Sequence, residues 1–365
     1  MARRPHLCFV GWGHHVHTER WVNRFADADF DLSVISFSRA GNYAPGVRQF
    51  NLMALPFNSH RLRMAALRLL FAYLRPDIVH VHYAGFLVNV APNWHGRMVV
   101  TVWGSDIYRT HVIEDEQRRL IAEYLPRAGL VTCDSEDLKI AIGEFCPRVA
   151  AVTEVVQWGV DTALFTPSAT PSRIADRLGL AGRTVFLSPR NFYPLYRLLE
   201  IVRAFAQVAQ RLPDAVLLMK RYASEADYSQ RVEALIDELG IRSRVHILEQ
   251  VDYAEMPDFY RSGTIMISVP ESDGTPMSLL EAMACGCLPI VSDLPSLHEW
   301  VVDGANGRVV PVGNVDALAD AMLDMAHCAE REHIIAHNLA LVRERASQQA
   351  SRDYMVARYQ ALCAL

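Results

Sequence analysis

Two acidic residues, Asp273 and Glu281, lie eight positions apart in the stretch ESDGTPMSLLEAMACGCLPIVSD, residues 271–293. The buried strand predicted for TIMISVP precedes them, and a helix is predicted to begin near SLLEAMA. A carboxylate in the loop after a strand accepts hydrogen bonds from hydroxyl groups, and the first N–H groups of the helix carry the positive end of its dipole. The pattern therefore favours a site for an anion or for a ligand rich in hydroxyl groups.

The same residues also have a purely structural interpretation. Ser278 and Glu281 form the S-x-x-E pattern of a capping box, Asp273-Gly274 is a common turn pair, and Gly286 is a typical helix stop. A helix cap and a ligand contact are compatible, so both interpretations stay open on the residues alone.

The composition of the whole chain excludes several classes of protein. Its 365 residues suffice for two domains, and 51% hydrophobic with 21% charged residues is ordinary for a globular protein. A formal net charge of −5 gives no reason to expect nucleic acid as a partner. Seven cysteines without paired spacing predict a reduced, cytoplasmic chain, and no His, Asp or Glu cluster has metal-ligand spacing. The first apolar run is too short for a signal peptide, and none approaches the roughly 18 residues of a membrane span.

Short apolar runs alternate with longer amphipathic ones in both halves. The predicted strands are HLCFVGW, DLSVISF, DIVHVHY, RMVVTVW and GLVTCDS in the first half, and TVFLSPR, AVLLMKR, RVHILEQ, TIMISVP and LPIVSD in the second. The predicted helices cover residues 59–75, 114–125, 195–211, 226–239, 278–286 and 314–327. This alternation predicts parallel sheets covered on both faces by helices. A stretch rich in Pro, Ser and Thr at 157–173 is expected to separate two doubly wound domains, with ligands bound beyond the carboxyl ends of the strands.

The stretch 271–293 resembles the signature of family 4 retaining glycosyltransferases, which have the GT-B architecture. There an acidic residue, usually Glu, is followed by seven residues, a second Glu and the pattern AMACG-P-V. The matching positions here are Asp273, Glu281, AMACG, Pro289 and Val291. Four further segments are similar to family segments: HEWVVDGANGRVV, QWGVDTALFTP, RPDIVHVHY and VVTVWGSDIY. Together they cover most of the chain.

The resemblance implies two Rossmann-like, doubly wound parallel-sheet domains that face each other across a cleft. We expect an acceptor-side domain at residues 1–165, a donor-binding domain at 166–345, and a C-terminal helix at 346–365 that packs back on the first domain. The implied activity is the transfer of a hexose-type sugar from a nucleotide diphosphate sugar to an acceptor hydroxyl, with retention of configuration. The donor is a substrate, so no cofactor and no metal are expected.

The resemblance also assigns donor-binding residues. Glu281 matches the residue that binds the ribose hydroxyls of the donor, and Arg190 matches an arginine that stabilises the leaving diphosphate. The family has a lysine about six residues after that arginine, and Tyr196 stands near its place here. Arg197 and Lys220 are the alternatives for this second cation. The segment that matches the sugar-binding loop consists of Asp273, Gly274, Thr275, Pro276, Met277 and Ser278.

The glycine turn GWGHHVH, residues 11–17, lacks the third glycine of a dinucleotide fingerprint, which makes that indication weak. In the family such a turn approaches a diphosphate or an acceptor, so Gly13 and His14 are candidate binding residues; His14 could equally cap a helix or be solvated. Trp103 stands where many relatives have a histidine. Asp106, at the same strand end, either orients the acceptor hydroxyl or caps the following helix.

Three further hypotheses concern the remaining features. His80 and His82 lie on one face of a strand. We expect His80 in the core and His82 at the lining of the cleft. The basic amphipathic helix at 59–76 either covers a sheet or touches the inner face of a membrane that holds a lipid-linked acceptor. Two rival functions share the architecture: a nucleotide-sugar epimerase, and a catalytically inactive subunit that binds a sugar nucleotide.

Overall fold

A computed structural model describes residues 3–56, 58–108, 114–168, 170 and 172–364 of the chain. It divides into two compact units: one comprises the chain up to Trp158 together with residues from Gln349 onward, and the other runs from Gly159 to Gln348. The division after Trp158 lies inside the stretch 157–173 in which the sequence suggested a boundary. Residues 169 and 171 of that stretch lie outside the described residues.

The described residues of the first unit form a seven-stranded sheet in the order β3-β2-β1-β4-β5-β6-β7, with parallel pairing throughout. Its core strands are apolar and buried, as the short β-branched runs predicted. The elements in chain order are β1 (His6–Gly11), α1 (Val16–Asn23), β2 (Asp31–Ser36), β3 (Arg48–Asn51), α2 (His60–Leu74), β4 (Ile78–His82), α3 (Leu87–Val90), β5 (Arg97–Thr101), α4 (Asp115–Tyr124), β6 (Leu130–Cys133), α5 (Glu136–Phe145) and β7 (Thr153–Val155).

The second unit contains, among its described residues, a six-stranded parallel sheet in the order β10-β9-β8-β11-β12-β13. Its elements are α6 (Arg173–Leu178), β8 (Thr184–Ser188), α7 (Leu198–Arg211), β9 (Ala215–Lys220), α8 (Ala226–Glu238), β10 (Val245–Leu248), α9 (Met256–Arg261), β11 (Ile265–Ser268), α10 (Met277–Ala284), β12 (Leu288–Ser292), α11 (Pro295–His298), β13 (Arg308–Val310), α12 (Val315–Ala326) and α13 (Arg331–Arg345).

Both sheets follow the doubly wound strand order, so the predicted fold class of two Rossmann-like parallel-sheet domains is confirmed. In each sheet the direction of winding reverses at one point, between β1 and β4 in the first unit and between β8 and β11 in the second. Ligands of such sheets bind beyond the carboxyl ends of the strands at this switch point. The residues that follow these four strands are therefore the candidates for ligand binding and catalysis.

The last helix, α14 (Gln348–Ala364), contributes a buried tyrosine to the core of the first unit. The Tyr359 hydroxyl lies 2.6 Å from Nδ1 of His80 and accepts a hydrogen bond from Trp21 Nε1 at 3.4 Å. The other ring nitrogen of His80 lies 2.7 Å from the Thr101 hydroxyl. His80 is thus a fully buried core residue whose two nitrogens are both hydrogen-bonded.

This buried imidazole makes the first unit sensitive to acid. Burial lowers the pKa of His80 from 6.5 to about 3, so the unfolded chain takes up a proton that the folded chain does not. Above pH 6.5 His80 does not lower the free energy of unfolding. As the pH falls from 6.5 toward 3, proton uptake by the unfolded chain lowers the free energy of unfolding, by about 2 kcal/mol at pH 5. We expect the loss of unfolding free energy between pH 7 and pH 5 to be smaller by this amount in His80→Gln.

Urea unfolding followed by tryptophan fluorescence measures this, since every tryptophan except Trp300 lies in the first unit. The exposed His333 provides the matched control, because His333→Gln leaves the core untouched. An unchanged pH dependence in His80→Gln would contradict the assignment.

Candidate functional site

Both switch points contain buried polar groups that lack hydrogen-bond partners among the described residues. In the second unit these are the hydroxyls of Ser188 and Ser268, the last residues of β8 and β11. In the first unit they are both ring nitrogens of His82, the last residue of β4. Because buried polar groups are nearly always paired, such groups at a switch point indicate positions for a ligand or water.

Arg190 lies just beyond β8 and is held by three side chains. Its Nη2 donates to Oδ2 of Asp273 at 2.6 Å, its Nη1 donates to the Ser278 hydroxyl at 3.2 Å, and its Cζ lies 4.0 Å from the centre of the Tyr196 ring. Burial lowers the pKa of Arg190, but Asp273 and Tyr196 raise it, and the net pKa lies above its ordinary value. The site therefore contains a permanently charged guanidinium in one fixed orientation, which suits a phosphate group.

The loop that carries Asp273 is tied to the rest of the second unit. The Ser296 hydroxyl donates to the Asp273 carbonyl at 2.7 Å, and Trp300 Nε1 donates to the Thr275 hydroxyl at 3.1 Å. Burial raises the pKa of Asp273, while Arg190 acts in the opposite direction. The other predicted members of the loop are buried: Gly274, Pro276 and Met277.

The start of α10 excludes the capping-box interpretation of this segment. The N-cap position is occupied by Pro276, so Ser278 lies inside the first turn and not at the cap. The Ser278 hydroxyl accepts from Arg190, and the Glu281 carboxylate accepts a hydrogen bond from the Tyr260 hydroxyl at 3.2 Å. Glu281 is only 5% exposed. Ser278 and Glu281 thus make separate contacts, with Arg190 and with Tyr260, and do not form a capping box.

The two candidates for the second cation have different surroundings. Arg197 forms ion pairs with Glu200 at 2.9 Å and with Glu271 at 2.6 Å. Lys220, the last residue of β9, is partly buried. Burial lowers the pKa of Lys220, Glu281 raises it and Arg190 lowers it further. The charge of Lys220 is therefore influenced by those of Arg190 and Glu281, whereas the charge of Arg197 is already balanced by two carboxylates.

In the first unit, the glycine turn after β1 packs tightly on the end of β2. The Gly13 N–H donates to the Ser36 hydroxyl at 3.0 Å, and a Cβ at Gly13 would come within 2.6 Å of that oxygen. His15 is the N-cap of α1, and its ring accepts a backbone hydrogen bond there. His14 is exposed, and its Nδ1 lies 2.8 Å from the Ser38 hydroxyl. The helix cap considered for His14 is therefore provided by its neighbour.

Trp103 lies in a cluster of aromatic rings that the sequence analysis did not foresee. The centre of its ring lies 4.7 Å from that of His15, 5.8 Å from Trp12 and 5.7 Å from Trp158. Burial lowers the pKa of His15 to about 4, so this ring is neutral at pH 7. The sequence did contain a signal: Trp12 and Trp103 stand at the ends of the predicted strands HLCFVGW and RMVVTVW, within two residues of the ends of β1 and β5.

His82 borders the same cluster, with its ring centre 6.5 Å from that of Trp103. The side chain is completely buried, and burial lowers its pKa well below the ordinary value. It therefore presents two neutral, unpaired ring nitrogens beside the aromatic rings at the switch point of the first sheet.

Asp106 is fully buried and holds two backbone segments together. Its Oδ2 accepts from the Ala84 N–H at 2.7 Å, and its Oδ1 accepts from the Trp103 N–H at 2.9 Å. Burial raises the pKa of Asp106 to about 6, against the opposing effect of these N–H groups. The carboxylate thereby fixes the segment that carries Trp103. Asp106 is buried and is not the cap of a helix in the described ranges. Its proposed role in orienting the acceptor hydroxyl stays a prediction.

Comparison with known proteins places these features in a family. The model of the family described as Glycosyl transferase 4-like matches residues 6–135, and the model described as Glycosyl transferases group 1 matches residues 172–340.

Across the part of the chain that the structure describes, no group of three or more His, Cys, Asp or Glu residues is arranged to hold a metal ion.

Solved structures show the same fold at low sequence identity. Sucrose-phosphate synthase from Thermosynechococcus elongatus superimposes with a TM-score of 0.85 at 18% identity, covering 99% of this chain and 100% of that one. The Anabaena protein HepE, solved in complex with UDP and glucose, gives a TM-score of 0.85 at 18% identity and covers 98% of this chain and 100% of its own. The two sheets thus define a GT-B protein.

The curated relatives share about a quarter of their residues with this chain over the matched segments. A GDP-mannose-dependent alpha-(1-6)-phosphatidylinositol monomannoside mannosyltransferase of Mycolicibacterium smegmatis is 25% identical over 48% of this chain, and the match spans only 47% of the relative's own length. N-acetyl-alpha-D-glucosaminyl L-malate synthase of Bacillus anthracis is 23% identical, with 78% of this chain and 74% of the relative covered. The two family models thus match the two units separately: the first unit is of the glycosyl transferase 4-like kind and the second of the glycosyl transferases group 1 kind.

The position of Asp106 predicts a large effect on stability. Asp106→Ala leaves two buried N–H groups without an acceptor, and each such group costs about 1–3 kcal/mol. We expect urea unfolding, followed by tryptophan fluorescence, to show a loss of about 2–5 kcal/mol. The matched control is Asp29→Ala, since the Asp29 side chain is 76% exposed and its removal is expected to cost under about 0.5 kcal/mol. Equal midpoints for the two variants would refute the role of Asp106.

Proposed function

We propose that the protein is a retaining glycosyltransferase that moves a hexose-type sugar from a nucleotide diphosphate sugar to an acceptor hydroxyl. One observation carries the proposal: the guanidinium of Arg190, fixed at the carboxyl end of β8 beside Lys220 and the start of α10. The match of residues 172–340 to the model of the glycosyl transferases group 1 supports it. So do the relatives, among which one is named for GDP-mannose and HepE was solved with UDP-glucose.

The donor site follows from the groups gathered at the second switch point. We assign the diphosphate to Arg190 and Lys220, and Arg190 contacts Ser278 at the positive end of α10. We assign the ribose hydroxyls to Glu281, because the Tyr260 hydroxyl holds its carboxylate in place. The segment Asp273–Ser278 provides the sugar contacts, with Asp273 also orienting Arg190.

In this proposal the reaction takes place on one face of the sugar. The bond between the anomeric carbon and the β-phosphate oxygen breaks, and the acceptor oxygen forms the new bond to the same carbon. The acceptor proton passes to the departing phosphate, so the protein supplies charge stabilisation and no strong base. Arg190 and Lys220 stabilise the negative charge that grows on the diphosphate, which is the electrostatic contribution that enzymes of many kinds use most. A bound metal is not part of this mechanism.

We propose that the acceptor is bound by the first unit. Trp12, Trp103 and His15 present aromatic rings at the carboxyl ends of β1 and β5, and such rings pack against the apolar faces of sugar rings. Gly13 and His14 lie on the adjoining turn. The relatives' names include phosphatidylinositol monomannoside, L-malate and D-inositol 3-phosphate, so hydroxyl-bearing acceptors of several classes occur among them. We propose a cytoplasmic location for the reaction.

The test begins with thermal denaturation in the presence of UDP-, GDP-, ADP- and dTDP-sugars. A ligand that binds only the native state stabilises it by about 2.7 kcal/mol at a hundredfold excess over its Kd. With the donor identified, Arg190→Ala is expected to lower kcat for sugar transfer by roughly 10²–10³-fold. Arg211→Ala, at a 66% exposed site, is the control and should retain wild-type kcat.

Three results would contradict the proposal. Arg190→Ala that folds, binds the donor and transfers sugar at the wild-type rate would remove its main support. Conversion of the donor to a new sugar without acceptor would favour the epimerase. Nucleotide binding with no transfer to any acceptor would favour a non-catalytic binding subunit.

The choice between the two cations is tested separately. Lys220→Met removes a charge that interacts electrostatically with Arg190 and Glu281, so kcat should fall by roughly 10²-fold. Arg197→Met removes a residue already paired with two carboxylates, so its effect should appear in the unfolding temperature and leave kcat within about threefold. The opposite pattern of kcat values would assign the role to Arg197.

A further inference from the structure

The outer face of α2 combines exposed apolar side chains with positive charge. Leu62, Leu69 and Tyr73 are 51%, 71% and 74% exposed. Positions 69 and 73 each lie within about 20° of position 62 around the helix axis, so the three residues form one stripe along the helix. Large apolar side chains this exposed and this closely aligned indicate a surface that is covered in use.

The opposite face of α2 already has its partner. Leu67, Phe71 and Leu74 are buried against the first unit, so the helix is anchored without the outer stripe. The fold therefore does not require apolar residues in the exposed stripe. Their presence indicates a contact with a molecule other than this chain.

The charge of α2 is unusual for this protein. The helix, HRLRMAALRLLFAYL, contains no acidic residue, although the whole chain has 41 acidic against 36 basic residues. Arg63 and Arg68 donate to amide oxygens of Asn58 and Asn93, which carry no charge. Elsewhere arginines pair with carboxylates, as Arg242 does with Glu233 and Asp237. The positive charge of α2 therefore remains uncompensated within the described residues.

We propose that α2 is a membrane-binding surface that lies flat on a bilayer containing anionic lipids. Leu62, Leu69 and Tyr73 enter the boundary between head groups and acyl chains, while Arg61 and Arg68 contact lipid phosphates. Arginine keeps its charged end at the interface while its stem covers apolar surface, and tyrosine is enriched at that depth. With 15 residues the helix is only about 22 Å long, and none of the helices in the described ranges has the length and hydropathy to cross a membrane.

Charge complementarity favours a bilayer over a second copy of the chain. A symmetric dimer through α2 would place the same basic stripe of each copy against its counterpart, and like charges would oppose the contact. An anionic bilayer supplies the opposite charge and an apolar layer together. The inference does not depend on the proposed reaction, because it rests on α2 alone.

The experiment is co-sedimentation of the full chain with vesicles. One set contains equimolar phosphatidylcholine and phosphatidylglycerol, and the other contains phosphatidylcholine alone. We expect binding to the anionic vesicles at least about tenfold tighter than to the neutral ones, since each arginine near the surface contributes on the order of fivefold. Raising the salt from about 0.1 M to about 1 M shortens the screening length from about 10 Å to about 3 Å and should weaken the binding.

Two variants separate the apolar from the charged contribution. Leu69→Ser with Tyr73→Ser should reduce binding to anionic vesicles by at least about tenfold. Arg61→Gln with Arg68→Gln should reduce it by on the order of 25-fold. The matched control is Ile140→Ser, because Ile140 is 61% exposed on α5 of the same unit and lies outside the stripe. Unchanged circular dichroism verifies that all these surface variants are folded.

Several outcomes would overturn the proposal. Absence of binding to anionic vesicles, or equal binding to both vesicle types, contradicts it directly. Binding that the α2 variants retain and Ile140→Ser loses would place the membrane contact elsewhere. If the chain does not bind vesicles but forms a concentration-dependent dimer, and Leu69→Ser makes that dimer dissociate, the stripe is a self-association surface.

Discussion

The buried ion pair between Arg190 and Asp273 is the interaction on which the second unit's site depends. It joins the segment after β8 to the segment after β11, the two strands that flank the switch point. A buried guanidinium is costly unless its partner is fixed, and the loss of one partner typically costs about 3–5 kcal/mol. The surrounding contacts fix both: Tyr196 packs on the guanidinium, and the Ser296 hydroxyl holds the Asp273 backbone.

The interior of the fold could be predicted from the sequence, but of the four edge strands only β10 was predicted. Central strands such as β1 and β4 are buried on both faces, so they appear as continuous apolar runs. The three strands that the apolar pattern missed, β3, β7 and β13, all lie at sheet edges. Edge strands are short and partly polar, as RQFN in β3 shows, because one side of each faces no neighbour.

The candidate site also has a part that could be predicted from the sequence and a part that could not. The position of Arg190, Lys220 and Asp273 at strand ends follows from the doubly wound pattern, since carboxyl ends of parallel strands share one edge. Their pairing could not be foreseen: Arg190 contacts Asp273 across 83 positions of sequence. The aromatic cluster was also missed, because its rings, Trp12, Trp103 and Trp158, come from positions far apart in the sequence. Side-chain pairing across a sheet leaves no periodicity to detect.

The course of the chain through α14 has a consequence for biosynthesis. The second unit is one continuous segment, whereas the first is completed only by the residues from Gln349 onward. During translation the second unit can therefore fold while the first still lacks Tyr359 and has the imidazole of His80 without its phenol partner. A chain whose synthesis stops before Gln349 would have one finished and one incomplete core, and the incomplete core would be exposed to chaperones and proteases.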